Sequence, residues 1–303
     1  EQQRGNAERR AEVIDRALGL TRGPLRAAVA FLGARLALRE SVRGWDKDRK
    51  ATRDNVNGDG QAPDDAPPAP ALAHSLTLLQ ACLQEDPEHV EALWCLAAVR
   101  SVLGDRAGLA AQAVQMDRPA VQDGRFHYLG AVCQLAAQNY EQALELGQRA
   151  LQCCERRPPG PEADDALAVE SHFVMAWAHL HLEDPSAARQ ALQKVAAVDR
   201  SPSAVYARAL LGQLSFARAA YDDAIKWWNA VDAPRRAEWH LDEALRQTVL
   251  LAGLLALDNA RYEQAADRFR EAGKLGLRDR RLGSLLTLAL VKAGQRLLYE
   301  QTK

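Results

Sequence analysis

The hexapeptide Ala220-Tyr221-Asp222-Asp223-Ala224-Ile225 decides how this chain is organised, because altered copies of it recur along the sequence. The other three copies are Asn139-Tyr140-Glu141-Gln142-Ala143-Leu144, Asp184-Pro185-Ser186-Ala187-Ala188-Arg189 and Arg261-Tyr262-Glu263-Gln264-Ala265-Ala266. Three of the four place a tyrosine three residues before an alanine. The anchor alanines at 143, 188, 224 and 265 are separated by 45, 36 and 41 residues, a period typical of stacked helix pairs.

Small residues recur where the two helices of each pair are expected to cross. In the unit built on the first hexapeptide, Gly212 and Ala224 are small and Trp228 is bulky. The next unit has the same arrangement, made of Gly253, Ala265 and Phe269. Small side chains at a crossing allow the helix axes to come within the usual packing distance, so this pattern predicts closely packed pairs.

These residues resemble the tetratricopeptide repeat family, whose unit of about 34 residues is a helix-turn-helix. The resemblance covers roughly residues 72 to 277 and is strongest from 204 to 277. Upstream, Ser75 to Pro87 reads as a second helix, and Val90 to Leu103 as the first helix of the next unit. The resemblance implies an all-α fold, an α-solenoid of helix-turn-helix repeats. Since the observed spacings exceed the family's unit length, we expect an irregular superhelix.

Composition divides the chain into three regions. Residues 1–43 hold two apolar helical patterns separated between Gly19 and Pro24, which predicts an N-terminal helical hairpin. Residues 44–70 are rich in Pro, Asp and Gly; they predict a flexible linker, because too little apolar surface is present to offset the ordering entropy. Residues 71–303 form the predicted solenoid, and a helix at about 280–299 is predicted to cap it.

The N-terminal region is basic. Thirteen Lys and Arg stand against seven Asp and Glu through residue 53, a net charge of +6. The second N-terminal helix carries apolar residues beside its arginines, so we expect it to pack on the solenoid with the arginines facing solvent. Contact of this basic helix with a membrane surface, or with nucleic acid, is the alternative interpretation.

Overall composition narrows the classes of function. The net charge of -1 argues against a general binder of nucleic acid or membranes. No apolar run reaches the roughly 18 residues of a transmembrane helix. The five cysteines lie in helical patterns, which predicts a reducing, cytoplasmic environment rather than a disulfide framework. Four of the five are predicted to be small core side chains. They are Cys82, Cys95, Cys133, Cys153 and Cys154.

Motifs of catalysis and cofactor binding are lacking, so we predict neither an enzyme nor a cofactor site. The sequence has no phosphate loop, dinucleotide fingerprint, HExxH or nucleophile elbow. His172, His179 and His181 form a cluster, but no carboxylate stands at ligand spacing among them, so they read as helix-face residues. Asn55 to Gly60 begins like a calcium loop, yet position 12 is Ala66, and the bidentate ligand is missing.

The family resemblance implies that a ligand lies on the concave surface lined by the first helices. Transferred to this chain, the groove positions are Tyr128, Phe173, Trp177, His181, Tyr206, Gln213, Phe216 and Leu250, with Arg208 and Arg246 as the nearest basic residues. The lysine and asparagine set by which some members hold a C-terminal carboxylate is not matched. This apolar, aromatic groove favours an amphipathic helix or an extended apolar peptide as ligand.

The sequence therefore predicts a non-catalytic scaffold or adaptor that binds a partner protein or peptide through the groove. In a regulatory form of this hypothesis, the helix at residues 24–43 occupies the groove until a partner displaces it. The alternative is a regulatory or sensory module associated with a separate enzyme. The identity of the partner and the oligomeric state do not follow from the residues.

Overall fold

The computed structural model describes residues 13–14, 16–18, 22–23, 26–35, 37, 70–117, 123–156, 163–199 and 201–301. The predicted linker at 44–70 and the calcium-loop-like segment Asn55 to Gly60 lie outside these residues, except for Pro70, which begins a helix. In the described ranges all regular secondary structure is helical. None of the described helices is both long and apolar enough to cross a bilayer.

Helices follow one another from Pro70 to the end of the described chain. They are α1 Pro70–Glu85, α2 Val90–Val102, α3 Arg106–Met116, α4 Gly124–Ala136, α5 Tyr140–Arg156, α6 Ala163–His181, α7 Pro185–Ala196, α8 Pro202–Ala217, α9 Tyr221–Asn229, α10 Ala233–Glu238, α11 Leu241–Asp258, α12 Tyr262–Lys274 and α13 Leu282–Gln301. The chain divides into two compact units, Glu1–Cys153 and Cys154–Lys303.

In the first unit, the N-terminal helical residues 26–35 pack on α1 and α2. Ala27, Ala30 and Ala34 are almost fully buried in one cluster with Leu79 of α1 and Leu96 of α2. The segment is also tied to α1 by polar contacts, since the Gly23 N–H and the Arg26 guanidinium both donate to the Glu85 carboxylate, at 3.2 and 3.3 Å. Its apolar face is therefore used for packing inside this unit.

Five helix pairs share one backbone turn. Three residues separate the two helices, and the middle one is in the left-handed region, with φ between +57° and +67°. The residue after it donates its N–H to a carbonyl five positions back, as in a Schellman motif. The left-handed residues are Gly104, Gln138, Glu183, Ala219 and Ala260. The pairs are thus α2/α3, α4/α5, α6/α7, α8/α9 and α11/α12. The sequence pattern missed α3, because the hexapeptide there has neither the tyrosine nor the anchor alanine.

Replacing Ala219 or Ala260 with glycine is expected to stabilise the chain by about 0.5–1 kcal/mol at each turn. An L-residue in the left-handed region costs about 1 kcal/mol or more, and glycine relieves this cost. Urea unfolding of the two variants measures the gain. Ala98→Gly, at an exposed helical position of α2, is the control and should lose about 1 kcal/mol. A loss at both turns would contradict the prediction.

Glycines at the helix crossings are in tight contact with the partner helix. A Cβ built on Gly212 would lie 2.2 Å from the Trp228 indole nitrogen, and one on Gly253 would lie 2.6 Å from the Phe269 ring. All four anchor alanines of the hexapeptides are completely buried. The Trp228 indole N–H also donates to the Ala209 carbonyl across the pair, at 3.1 Å. These contacts confirm the predicted crossings.

The last helix, α13, packs on α12. Ala289 of α13 is completely buried in a cluster with Ala265, Ala266 and Phe269 of α12. The predicted capping helix therefore covers α12. Its remaining surface includes several exposed apolar side chains, however, whereas the outer face of a solenoid cap is polar.

Candidate functional site

Five aromatic rings of the second unit form a continuous row across α6, α8 and the end of α10. We name this the aromatic row; its members in spatial order are His181, Trp177, Phe173, Tyr206 and Trp239. Neighbouring ring centroids lie 6.4, 6.3, 6.5 and 4.8 Å apart, and the last pair is stacked. Four of the five residues were predicted to line the groove, so the structure brings these four together.

Helix geometry explains the α6 part of the aromatic row. Phe173, Trp177 and His181 are four residues apart, and side chains at this spacing lie above one another on one helix face. Phe173 is half-buried against the cluster that α6, α7 and α8 share. Trp177 is 37% exposed and Tyr206 is 50% exposed. The row is thus anchored in the core at Phe173 and open to solvent at Trp177 and Tyr206, on either side of it.

Trp239 reaches the aromatic row because α10 is inserted between the last two helix pairs. Asp232 caps this short helix by accepting from the Arg235 N–H at 3.1 Å, and Pro234 lies in its first turn. Arg236 fixes the helix by donating to the Val231 carbonyl at 2.6 Å and to the Asp242 carboxylate at 3.0 Å. The sequence analysis did not identify Trp239, although Asp232-Ala233-Pro234 is a helix-start signal that could have revealed α10.

A carboxylate joins α6 to the start of α8 beside the aromatic row. Glu170 of α6 accepts from the Ser203 hydroxyl at 2.6 Å and from the Ser201 hydroxyl at 3.4 Å. Ser201 caps α8 and also accepts from the Ser203 N–H, at 3.2 Å. These contacts fix the relative position of the two helices that carry Phe173 and Tyr206.

Arg208, predicted as a basic groove residue, has structural contacts. Its guanidinium donates to the Ala196 carbonyl at 3.1 Å and to the Ala230 carbonyl at 3.5 Å, which lie at the C-terminal ends of α7 and α9. It also forms an ion pair with Asp199, and its side chain is only 14% exposed. A cation that satisfies the last carbonyls of two helices stabilises both helix ends.

The other predicted groove residues of the second unit are dispersed. Gln213 is exposed seven residues after Tyr206, on the same face of α8. Phe216 is 39% exposed and contacts Tyr221 and Trp228 instead of the aromatic row. Arg246 donates to Glu243 on its own helix at 2.6 Å. Leu250 is half-buried against the cluster that contains Phe269.

Tyr128 belongs to the first unit and is described there alone. Its ring lies 5.4 Å from that of Trp94, which joins the first helices α4 and α2. This contact resembles the one between Phe173 and Tyr206, because it also links aromatic residues on successive first helices. Tyr128 itself is half-buried.

The titratable groups of the described helices favour structural roles. Burial raises the pKa of the Cys82 thiol to about 11 and that of the Cys133 thiol to about 12, so both remain protonated. Within the described ranges no three His, Cys, Asp or Glu side chains lie together as metal ligands. The three histidines that are clustered in the sequence have different environments in the structure. His181 is part of the aromatic row, and His172 is half-buried.

Acidification is expected to weaken the second unit through His172. Burial, and secondarily the charge of Lys194, lowers the His172 pKa below its ordinary value of 6.5, despite the opposing effect of Glu155. The unfolded chain therefore takes up a proton before the folded chain does, and stability present above about pH 6.5 is lost as the pH falls. Urea unfolding at about pH 7 and about pH 5 measures the loss. His172→Gln should show a smaller difference; an equal one would contradict the assignment.

These observations define the class of protein as a helix-pair repeat protein. A family model described as Tetratricopeptide repeat matches residues 126–201. That stretch contains the pairs α4/α5 and α6/α7 with their turns at Gln138 and Glu183. The chain is a helical repeat protein that matches the tetratricopeptide repeat model over this stretch, as the hexapeptides predicted.

Three solved structures are similar to this chain at low sequence identity. The structure reported for the functional characterisation of Pseudomonas aeruginosa PilF is 14% identical, with 71% of this chain and 89% of that chain covered and a TM-score of 0.43. A tetratricopeptide repeat protein of Parabacteroides merdae is 16% identical, with 86% and 99% covered and a TM-score of 0.40. The apo form of RapI is 15% identical, with 74% and 93% covered and a TM-score of 0.45. A search of curated proteins gives no match.

Proposed function

We propose that this chain is a non-catalytic scaffold that binds a partner protein through the aromatic row. Tetratricopeptide repeats are protein-interaction modules, and the observation that supports a site in this chain is the solvent exposure of Trp177 and Tyr206 in the aromatic row. Tyrosine and tryptophan dominate binding energy at protein interfaces because each buries a large rigid surface while keeping a polar group.

The charge near the aromatic row favours an apolar partner segment. Arg208 and Arg246, the predicted basic residues, are already paired with Asp199 and Glu243. An anionic tail would therefore have to displace existing ion pairs. An amphipathic helix or an extended apolar peptide can instead cover Trp177 and Tyr206 without breaking them.

Occupation of this surface by the chain's own N-terminal helix is not part of the proposal. The apolar face of residues 26–35 is buried against α1 and α2 through Ala27, Ala30 and Ala34. The same face would have to leave this packing before it could cover another surface. Deleting the segment would also expose Leu79, so a deletion variant would report unfolding together with any release.

Affinity capture with quantitative mass spectrometry tests the proposal, using the intact chain, Trp177→Ala/Tyr206→Ala and Phe216→Ala as baits. Truncation of two aromatic hot-spot residues is expected to reduce recovery of the specific partner at least tenfold. Phe216→Ala is the matched control, because Phe216 is 39% exposed against 37% for Trp177 but lies outside the row. Circular dichroism verifies that each variant is folded. A partner that the double variant retains in full would refute a role for the aromatic row.

A further inference from the structure

Three glycines recur at an interval of 41 residues, one in each of the helices α8, α11 and α13. They are Gly212, Gly253 and Gly294. In α8 and α11 this glycine is the crossing point of the pair, and the aromatic residue that packs on it follows sixteen residues later, as Trp228 and Phe269. The register therefore marks α13 as a first helix of the same kind as α8 and α11.

The side of α13 that faces the preceding helix is occupied. Ala289 is completely buried, as is Thr248, which stands at the same register position in α11. Arg296 of α13 also donates to the Ala260 carbonyl in the turn before α12, at 3.3 Å. In this respect α13 packs as the earlier first helices do.

The side of α13 that would face its own second helix is uncovered in the described structure. Val249 and Ala256 of α11 are 0% and 5% exposed, whereas their register counterparts Leu290 and Leu297 are 44% and 50% exposed. A Cβ built on Gly294 meets no atom of the described residues within 4 Å. Leucines at these positions, beside an unfilled crossing glycine, form an apolar surface that corresponds in register to the buried interface of the α11/α12 pair.

We propose that α13 binds an amphipathic helix of a partner protein, which completes the last pair by placing an aromatic side chain on Gly294. The chain itself shows the chemistry of this occupant. The helices that cover Gly212 and Gly253 carry an alanine four residues before the aromatic residue, Ala224 before Trp228 and Ala265 before Phe269. This surface is distinct from the aromatic row and would give the scaffold a second binding site.

A fluorescein-labelled synthetic peptide of residues 258–277, which contains α12, is the probe for this site. Because α13 repeats the register of α11, the peptide should bind the full chain in trans and saturate in a fluorescence anisotropy titration. The Phe269→Ala peptide should bind at least tenfold more weakly, since it lacks the side chain that would lie on the glycine. Absence of saturable binding, or equal binding of both peptides, would overturn the proposal.

Two glycine variants of the full chain locate the binding. Gly294→Leu fills the crossing and should weaken peptide binding at least tenfold. Gly283→Leu is the matched control, because Gly283 is the other glycine of α13 with no described atom within 4 Å of a built Cβ, and it lies near the helix start. Both substitutions raise helix propensity, so circular dichroism should show an unchanged fold. Equal binding by Gly294→Leu would overturn the site.

Sedimentation velocity distinguishes a partner helix from a second copy of the chain. We expect the wild-type chain and the Gly294→Leu variant to sediment as the same species. Peptide binding should require no change of oligomeric state. Concentration-dependent self-association that Gly294→Leu abolishes, together with weak peptide binding, would instead assign the surface to a dimer and refute the proposed occupant.

Discussion

Trp228→Ala is expected to reduce the free energy of unfolding by about 3–5 kcal/mol. The Trp228 side chain is 3% exposed and fills the crossing at Gly212. Its removal leaves a cavity at this crossing and takes away the indole bond to the Ala209 carbonyl. The loss exceeds what apolar transfer alone gives, because the paired helices relax only partly around the cavity.

Trp227→Ala is the matched control for this prediction. Trp227 is the adjacent residue of the same type in α9, but it is only half-buried. Truncation there should cost about half as much or less, since fewer contacts are lost. Urea unfolding followed by far-ultraviolet circular dichroism measures both variants without depending on tryptophan emission. Equal losses for Trp227 and Trp228 would contradict the assigned crossing.

Gly212→Ala is expected to reduce the free energy of unfolding by about 2–3 kcal/mol, the second largest effect. The added methyl carbon would lie within 2.2–2.7 Å of three atoms of the Trp228 indole, so the two helices must move apart. In a Trp228→Ala background the clash is gone. The same substitution should then stabilise the chain by about 0.8–1 kcal/mol through helix propensity.

The sign change between the two backgrounds is the test of direct contact in this double-mutant cycle. Gly294→Ala provides a second comparison, because it makes the same change at the same register of α13, where a Cβ meets no described atom. It should stabilise the wild-type chain by about 0.8–1 kcal/mol. A cost for Gly212→Ala that persists without the Trp228 indole would mean that the clash has another source.

The crossings could be predicted from the sequence because their cause is local in each pair. A glycine followed sixteen positions later by a bulky residue identifies the contact independently of the other helix pairs, as with Gly253 and Phe269. The second helix of the pair α2/α3 escaped prediction because the turn before it uses Gly104 and its cap, Asp105, is followed by neither the tyrosine of three of the copies nor the anchor alanine. Backbone geometry repeats there while side chains do not.

The aromatic row was predictable only in part. The four-residue spacing of Phe173, Trp177 and His181 can be recognised in the sequence. The position of Trp239 in the row, however, depends on α10, an inserted helix that interrupts the repeat period. Arg208 follows Tyr206 by two residues and therefore points about 200° away around α8, toward the ends of α7 and α9. The resemblance to the family assigned Arg208 to the groove. Its two-residue offset from Tyr206 could instead have predicted that it lies on a different face of α8.

The step of 41 residues from Gly212 to Gly253 to Gly294 means that an insertion or deletion of 41 residues at these glycines preserves the helix register. Deleting residues 254–294 would join Gly253 directly to Gln295, and the hybrid helix would keep the phase of both parents. Duplicating the same stretch would lengthen the protein by one pair at a boundary that already exists. Length variation in multiples of 41 residues is thus expected to keep every glycine of this series in phase with its helix.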